Sequence, residues 1–241
     1  MFMRISRAAA ILIAALGWSI GPAAADLQSG IEAYSAGNIT EAAQAWADGG
    51  DAGDATSAYL AAKMYEGNNG VPANPPKVLK YLMLAAQGNH VQAQVELGDH
   101  YRSGLAGTDL QPSADQALYW YEKAALAQHA EAQMKIGEMH YVGEGADRNR
   151  FEGIRWYELA AEKYYTPALI LLSGIYWDGD PLPRDKSRAY SFLLLARQGA
   201  TDETRAGVDA LMGMREKQMS RAQMDAGIRL AEAFRLEHPK K

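Results

Sequence analysis

The chain has 241 residues, 48% of them hydrophobic and 22% charged, the composition of a folded protein rather than a disordered one. It contains no cysteine, which excludes disulfides, thiolate zinc sites and a cysteine nucleophile. A formal charge of −5 argues against general nucleic-acid binding, which relies on Lys and Arg to neutralise phosphates.

Arg4 and Arg7 form a short basic start, Ala8–Leu16 is an uncharged apolar run, and Ala23-Ala24-Ala25 places small residues just before Asp26. This pattern predicts a secretory signal peptide over 1–25, cleaved after Ala25, with an apolar run too short for an ordinary membrane span. The expected mature protein is periplasmic or secreted, with no stable membrane insertion. It uses no disulfides there, so its stability must come from packing. Its charge is uneven: residues 26–147 hold 6 Lys/Arg and 16 Asp/Glu, whereas residues 148–241 hold 16 Lys/Arg and 13 Asp/Glu. Such a dipolar chain either orients towards charged partners or has two differently solvated regions.

Residues 26–53 read as a hairpin that caps the remainder of the chain: a helix through Tyr34, a Gly37-Asn38 turn, then a helix through Trp46. From residue 54 to residue 200 one pattern recurs four times. The first helices begin at Ser57, Ala93, Ala132 and Ala168. A small residue recurs at Ala62, Gly98, Gly137 and Ser173, and three residues later come Tyr65, Tyr101, His140 and Tyr176. In the second helices a large aromatic recurs at Tyr81, Trp120, Trp156 and Phe192, followed four residues later by Ala85, Ala124, Ala160 and Ala196. A small residue lets its partner helix approach closely, and the aromatic is expected to fill the space between adjacent hairpins. One hairpin cannot bury its apolar face alone, so such units stack. Ser113 with Gln116 fits a capping box, and Pro75-Pro76 fits a helix entrance. Trp46, Trp120 and Trp156 are expected in the core.

The segments DATSAYLAAKMYEGNNGV (54–71) and AEAQMKIGEMHYVGEG (130–145) resemble the Sel-one-like repeat, a relative of the tetratricopeptide repeat. So do the second-helix phrases ALYWYEKAALAQH (117–129) and GIRWYELAAEKYY (153–165). The resemblance covers more than half of the chain. It implies an all-α fold, an α/α solenoid of stacked antiparallel helix hairpins with terminal capping helices. It also implies a scaffold or adaptor role. Some exported bacterial members regulate envelope signalling, including periplasmic regulators of exopolysaccharide synthesis that restrain a sensor kinase. Cysteine-rich secreted relatives have been associated with penicillin binding and β-lactam hydrolysis, but this chain lacks their cysteines.

The fourth copy carries Leu169 and Leu171 where two earlier copies have Gln94/Gln133 and Glu96/Lys135, and Leu194 and Leu195 replace Glu122 and Lys123. Either terminal helices or a partner must cover this apolar surface. Residues 201–241 supply the cover: Glu203–Met214 reads as helix, and Ser220 with Gln223 opens another, with Met224, Ile228, Ala231 and Phe234 at helical spacing. His238–Lys241 reads as a frayed tail.

No catalytic set, cofactor site or metal site is expected. The histidines follow the repeat rather than a metal's geometry: His90 and His129 end second helices, and His140 fills the tyrosine slot. Asp178-Gly-Asp180…Asp185 lacks the ligand pattern of a calcium loop, and Gly143-x-Gly145 lacks the Lys and Ser/Thr of a phosphate loop. Asn38-Ile-Thr40 matches a glycosylation acceptor, but Asn38 is better read as turn or cap chemistry.

A protein partner is the expected ligand. The residues nominated for it are bulky or charged where the repeat has no need of them. Tyr141 and Trp177 occupy the slot of Glu66 and Arg102. Tyr164 occupies that of Asn89 and Gln128, and Tyr119 that of Lys80, Arg155 and Ser191. Arg148, Arg150 and Arg155 decorate the third unit. The same aromatics would also suit a peptidoglycan or polysaccharide in the cell wall, since sugar rings stack on Tyr and Trp.

Overall fold

The computed structural model describes residues 22–239. The signal peptide expected over 1–25 therefore lies outside the described residues, apart from backbone from Pro22 on, and so do Lys240 and Lys241. Among the described residues there are twelve α-helices, and the fold class is the all-α solenoid of antiparallel hairpins. None of these helices is long and apolar enough to cross a membrane.

Contacts divide the chain into two compact units, one ending at His90 and the other starting at Val91. The first unit holds α1 (Pro22–Ser35), α2 (Ile39–Asp51), α3 (Ala55–Met64) and α4 (Pro75–Gln87). Its α1–α2 hairpin closes where Gly30 faces the Trp46 indole, whose Nε1 donates to the Leu27 carbonyl at 3.3 Å. Asn38 precedes α2 but does not cap a backbone N–H; its amide donates to the Glu41 carboxylate at 3.0 Å.

The second unit holds the hairpins α5 (Val91–Ser103) with α6 (Ala114–Leu126), α7 (Ala130–Val142) with α8 (Arg150–Glu162), and α9 (Thr166–Asp178) with α10 (Lys186–Gly199). It ends with α11 (Asp202–Glu216) and α12 (Arg221–Glu237). α6 packs on α7, α8 on α9, and α12 lies along α10.

One device recurs in all four hairpins of residues 55–199. The second helix opens on a side-chain cap: Asn74, Ser113, Asn149 and Asp185 each accept from the backbone N–H three residues on. Each cap residue also donates its own backbone N–H to the carbonyl of the tyrosine slot, Tyr65, Tyr101, His140 or Tyr176, at 2.6–2.9 Å. The loop is thereby stitched to the end of the helix before it, and two orphan backbone groups are satisfied at once. Ser220 and Gln223 form the full reciprocal capping box that starts α12. His129 does not end a second helix as expected from sequence; it is the N-cap of α7, its Nδ1 accepting from Ala132.

Of the second-helix aromatics, Tyr81, Trp120 and Phe192 are buried. In the second and third repeats the small slot is met by the residue that follows this aromatic. A Cβ on Gly98 would sit 2.5 Å from the Tyr121 ring, and one on Gly137 would sit 2.7 Å from Tyr157. Tyr121 is fully buried, whereas Trp156 is only half-buried. The helical phase explains this: Tyr121 and Tyr157 point into their own hairpins, and Trp156, about 100° away, packs against the core shared by α5, α6 and α7, between adjacent hairpins as expected. Leu169 is likewise no extra apolar surface, because Gln94 and Gln133 in the same slot are buried too. Leu195 is different. Its counterpart Lys123 is exposed, but Leu195 is buried in one core with Val208 and Met212 of α11 and Ala231 of α12. On α12 the packed seam includes Gly227 and Ala231 rather than Ile228, which stays exposed.

Candidate functional site

The slot after the repeat tyrosine was nominated from sequence for partner contact. In the second unit it reaches the following hairpin or helix instead. Arg102 forks onto Glu144, at 2.7–3.0 Å, and onto Glu138 at 3.2 Å. Tyr141 accepts from Arg150 at 2.7 Å and lies at 3.5 Å from the Asp180 carbonyl, while Arg150 also pairs with the Asp180 carboxylate at 2.9 Å. That pair holds the Asp180 carboxyl below its ordinary range, chiefly through the Arg150 hydrogen bond. Trp177 lies between Lys186 and Arg215, whose cations stand 5.0 and 4.8 Å from its ring. Arg215 is buried and donates to both the carbonyl and the hydroxyl of Ser173, and burial lowers its pKa.

Tyr164 also has intramolecular work. It adopts φ 56°, the left-handed region that Asn89 and Gln128 occupy in their own units. Its hydroxyl donates to the His238 carbonyl at 2.8 Å and its ring meets Phe234 edge-on, fixing the end of α12. His238 is thus held rather than frayed. The remaining nominated residues face solvent. Tyr119 is 46% exposed. Arg148 is exposed, and Arg155 is exposed while paired at 3.1 Å with Glu152.

A groove on the second-helix side brings together residues that sequence reading did not single out. Three helices each contribute one face at helical spacing. α8 supplies Glu158, Ala161 and Glu162; α10 supplies Arg188, Ser191 and Phe192; α12 supplies Leu230, Phe234 and Glu237. The groove measures about 400 Å³. A hollow of about 270 Å³ adjoins it along α8, sharing Glu158 and Glu162 and adding Arg155, Trp156 and Leu159. The floor is apolar and the rim carries carboxylates. Arg188 donates to the Tyr176 hydroxyl at 3.1 Å and lies over its ring at 5.1 Å. Partial desolvation raises the Glu158 carboxyl above its ordinary range, with Arg188 opposing and Glu162 adding to the shift. Of the seven nominated residues only Arg155 lines this region. Among the described residues no group of three or more His, Asp and Glu is placed to hold a metal ion.

The repeat geometry has a counterpart in known proteins. The Sel1 repeat model matches residues 55–90, 91–129, 130–165 and 166–199. This chain belongs to the Sel1 repeat family. It is 26% identical over 160 residues to an exopolysaccharide production negative regulator of Rhizobium leguminosarum bv. viciae, over 62% of this chain and 60% of that protein. It is 29% identical over 146 residues to chitin synthase regulatory factor 3 of Schizosaccharomyces pombe, over 58% of this chain and 16% of that protein. The matches thus span less than two thirds of either relative. A Sel1 repeat protein from Oxalobacter formigenes is similar in structure, with TM-score 0.67 and 26% identity over 78% of this chain and 74% of the other. A protective antigen of uropathogenic Escherichia coli strains shares the fold at TM-score 0.53 and 17% identity, over 88% and 54% of the two chains. Sel1 repeat proteins are in general protein–protein interaction scaffolds rather than enzymes.

Helical spacing in the sequence could have pointed to the groove. On α12, Leu230, Ala233, Phe234 and Glu237 recur at three-to-four spacing, as do Glu152, Arg155, Trp156 and Leu159 on α8. Both stripes were readable. Their convergence was not, because it depends on how α12 settles against α10.

Proposed function

We propose that this Sel1 repeat protein is an exported bacterial scaffold that binds a protein partner and thereby regulates or assembles an envelope complex. The observation that carries the reading is a stack of Sel1 repeats behind a leader-like start, Arg4, Arg7 and the apolar run Ala8–Leu16 before Ala23-Ala24-Ala25. The likeness to an exopolysaccharide production negative regulator supports a regulatory role at the envelope. Tyr119, Arg148 and Arg155 offer exposed contacts for the partner. Tyr141, Arg150, Tyr164 and Trp177 are engaged within the chain, and Tyr and Trp are types that often anchor interfaces.

Fractionation with mass spectrometry of the mature N-terminus is expected to find the protein outside the cytoplasm, starting at Asp26. Crosslinking in cells followed by purification is expected to recover one reproducible protein partner. Retention on cell-wall material with no protein partner would favour glycan binding instead. A hydrolytic activity abolished by one point substitution would overturn the scaffold reading.

A further inference from the structure

We infer that the groove between α8, α10 and α12 is a docking site for a basic, amphipathic segment of a partner protein. This rests on the scaffold reading above and assigns the chemistry of the partner. The floor comes from Phe192, Phe234, Leu230 and Ala161, extended along α8 by Trp156 and Leu159. Leu159 and Leu230 remain 39% and 37% exposed, so apolar surface is left for a ligand to cover.

Charge selects the occupant. Four glutamates ring the two hollows: Glu152, Glu158, Glu162 and Glu237. Two arginines offset part of this charge, Arg155 paired with Glu152 and Arg188 bonded to the neutral Tyr176 hydroxyl, which leaves four carboxylates against two guanidinium groups. Among the described residues neither Glu162 nor Glu237 has an ion-pair partner. The groove therefore presents apolar surface under a surplus of carboxylates, which complements Lys or Arg flanking aliphatic anchors. An anionic lipid surface would be repelled by the same rim. A sugar ring would find the aromatic pair Phe192–Phe234 already packed edge to face, with centroids 6.5 Å apart. The stretch of α8 from Glu152 to Glu162 is roughly 15 Å long, enough for about three helical turns of a partner.

The probe is a fluorescently labelled amphipathic Leu/Lys peptide, titrated by anisotropy against the full chain. Its controls are a Leu/Glu peptide and a Ser/Lys peptide. The Leu/Lys peptide is expected to bind and to weaken with salt, and both controls are expected to fail. Glu162→Lys with Glu237→Lys should lower its affinity on the order of tenfold or more. Glu41→Lys with Glu122→Lys, which changes the net charge equally at exposed sites outside the groove, should leave most of the affinity intact. Equal losses in the two double variants, or equal binding of the Leu/Glu peptide, would overturn the proposal. So would concentration-dependent dimerisation abolished by the groove variant, which would assign the groove to a second copy. The cellular partner separates the two readings: if it still crosslinks to the groove variant, the groove assignment fails while the scaffold stands.

Discussion

Hairpins α5–α6 and α7–α8 close on glycine, whereas α9–α10 closes on serine. In the first two, Gly98 and Gly137 leave no room for a Cβ because Tyr121 and Tyr157 fill the space. In the third, the aromatic is replaced by Leu193, and Ser173 occupies the small slot, donating to the Ala189 carbonyl at 2.6 Å and receiving Arg215 from α11. Repeats two and three are finished by an aromatic from their own second helix. The last repeat is finished by a polar link to the cap. A terminal unit of a solenoid must end its stacking surface, and here Ser173 in the small slot ties it to Arg215 of the cap.

The largest effect expected from breaking this comparison is at the aromatic. Tyr121→Ala should cost about 3–5 kcal/mol, through loss of a fully buried ring and of the 2.6 Å bond from its hydroxyl to Asp99. Urea unfolding measures it, and a loss under about 1 kcal/mol would mean that the ring is not the filler of the slot. Transplanting the serine of repeat four into repeat three comes next. Gly137→Ser places a side chain against Tyr157 and the Gly153 carbonyl, and should cost about 1–3 kcal/mol by overpacking. If the variant is neutral, serine and glycine are interchangeable in this slot and the two closures are not distinct.

Arg215→Met tests the polar link. The aliphatic stem is roughly conserved in volume, but the bonds to Ser173 are lost, so a cost of about 1–2 kcal/mol is expected. Hydrogen exchange should quicken in α11 and in the end of α9 while α5 and α6 keep their protection. Uniform quickening would show that Arg215 supports the whole unit rather than the cap.

The repeat itself was legible because its period is carried by residues whose types are forced by sterics. Gly98, Gly137 and the alanines four residues after the aromatic slot could be aligned without any structure. Which aromatic meets the glycine was not legible. Trp120-Tyr121 and Trp156-Tyr157 put two aromatics side by side, and choosing between them needs the helical phase, not the period. Tyr141 and Trp177 departed from the repeat consensus, which marked them as special. Composition alone does not separate a residue special for contact with the next repeat from one special for contact with another molecule. The bonds around Arg150 and Arg215 supply that separation. The groove depends on side chains far apart in sequence, from Glu152 to Glu237, converging through α12.

The smallest effect concerns Glu158, where repeat three faces Arg188 and Tyr176 of repeat four. Its folded pKa is raised, so its ionisation works against the folded state. The associated stability is fully present below the ordinary carboxylate range and is lost as pH rises through the folded value. Glu158→Gln should therefore match the wild type near about pH 4 and gain slightly on it towards about pH 7, measured by urea midpoints. Parallel curves would mean that the carboxyl is as well solvated folded as unfolded. The same titration bears on the groove. A cationic segment seated beside Glu158 prefers the ionised carboxyl, so affinity for the Leu/Lys peptide should rise across that pH range in the wild type and rise less in Glu158→Gln. An unchanged pH dependence in the variant would place the peptide away from α8, on a part of the surface where the closure of repeat four has no influence.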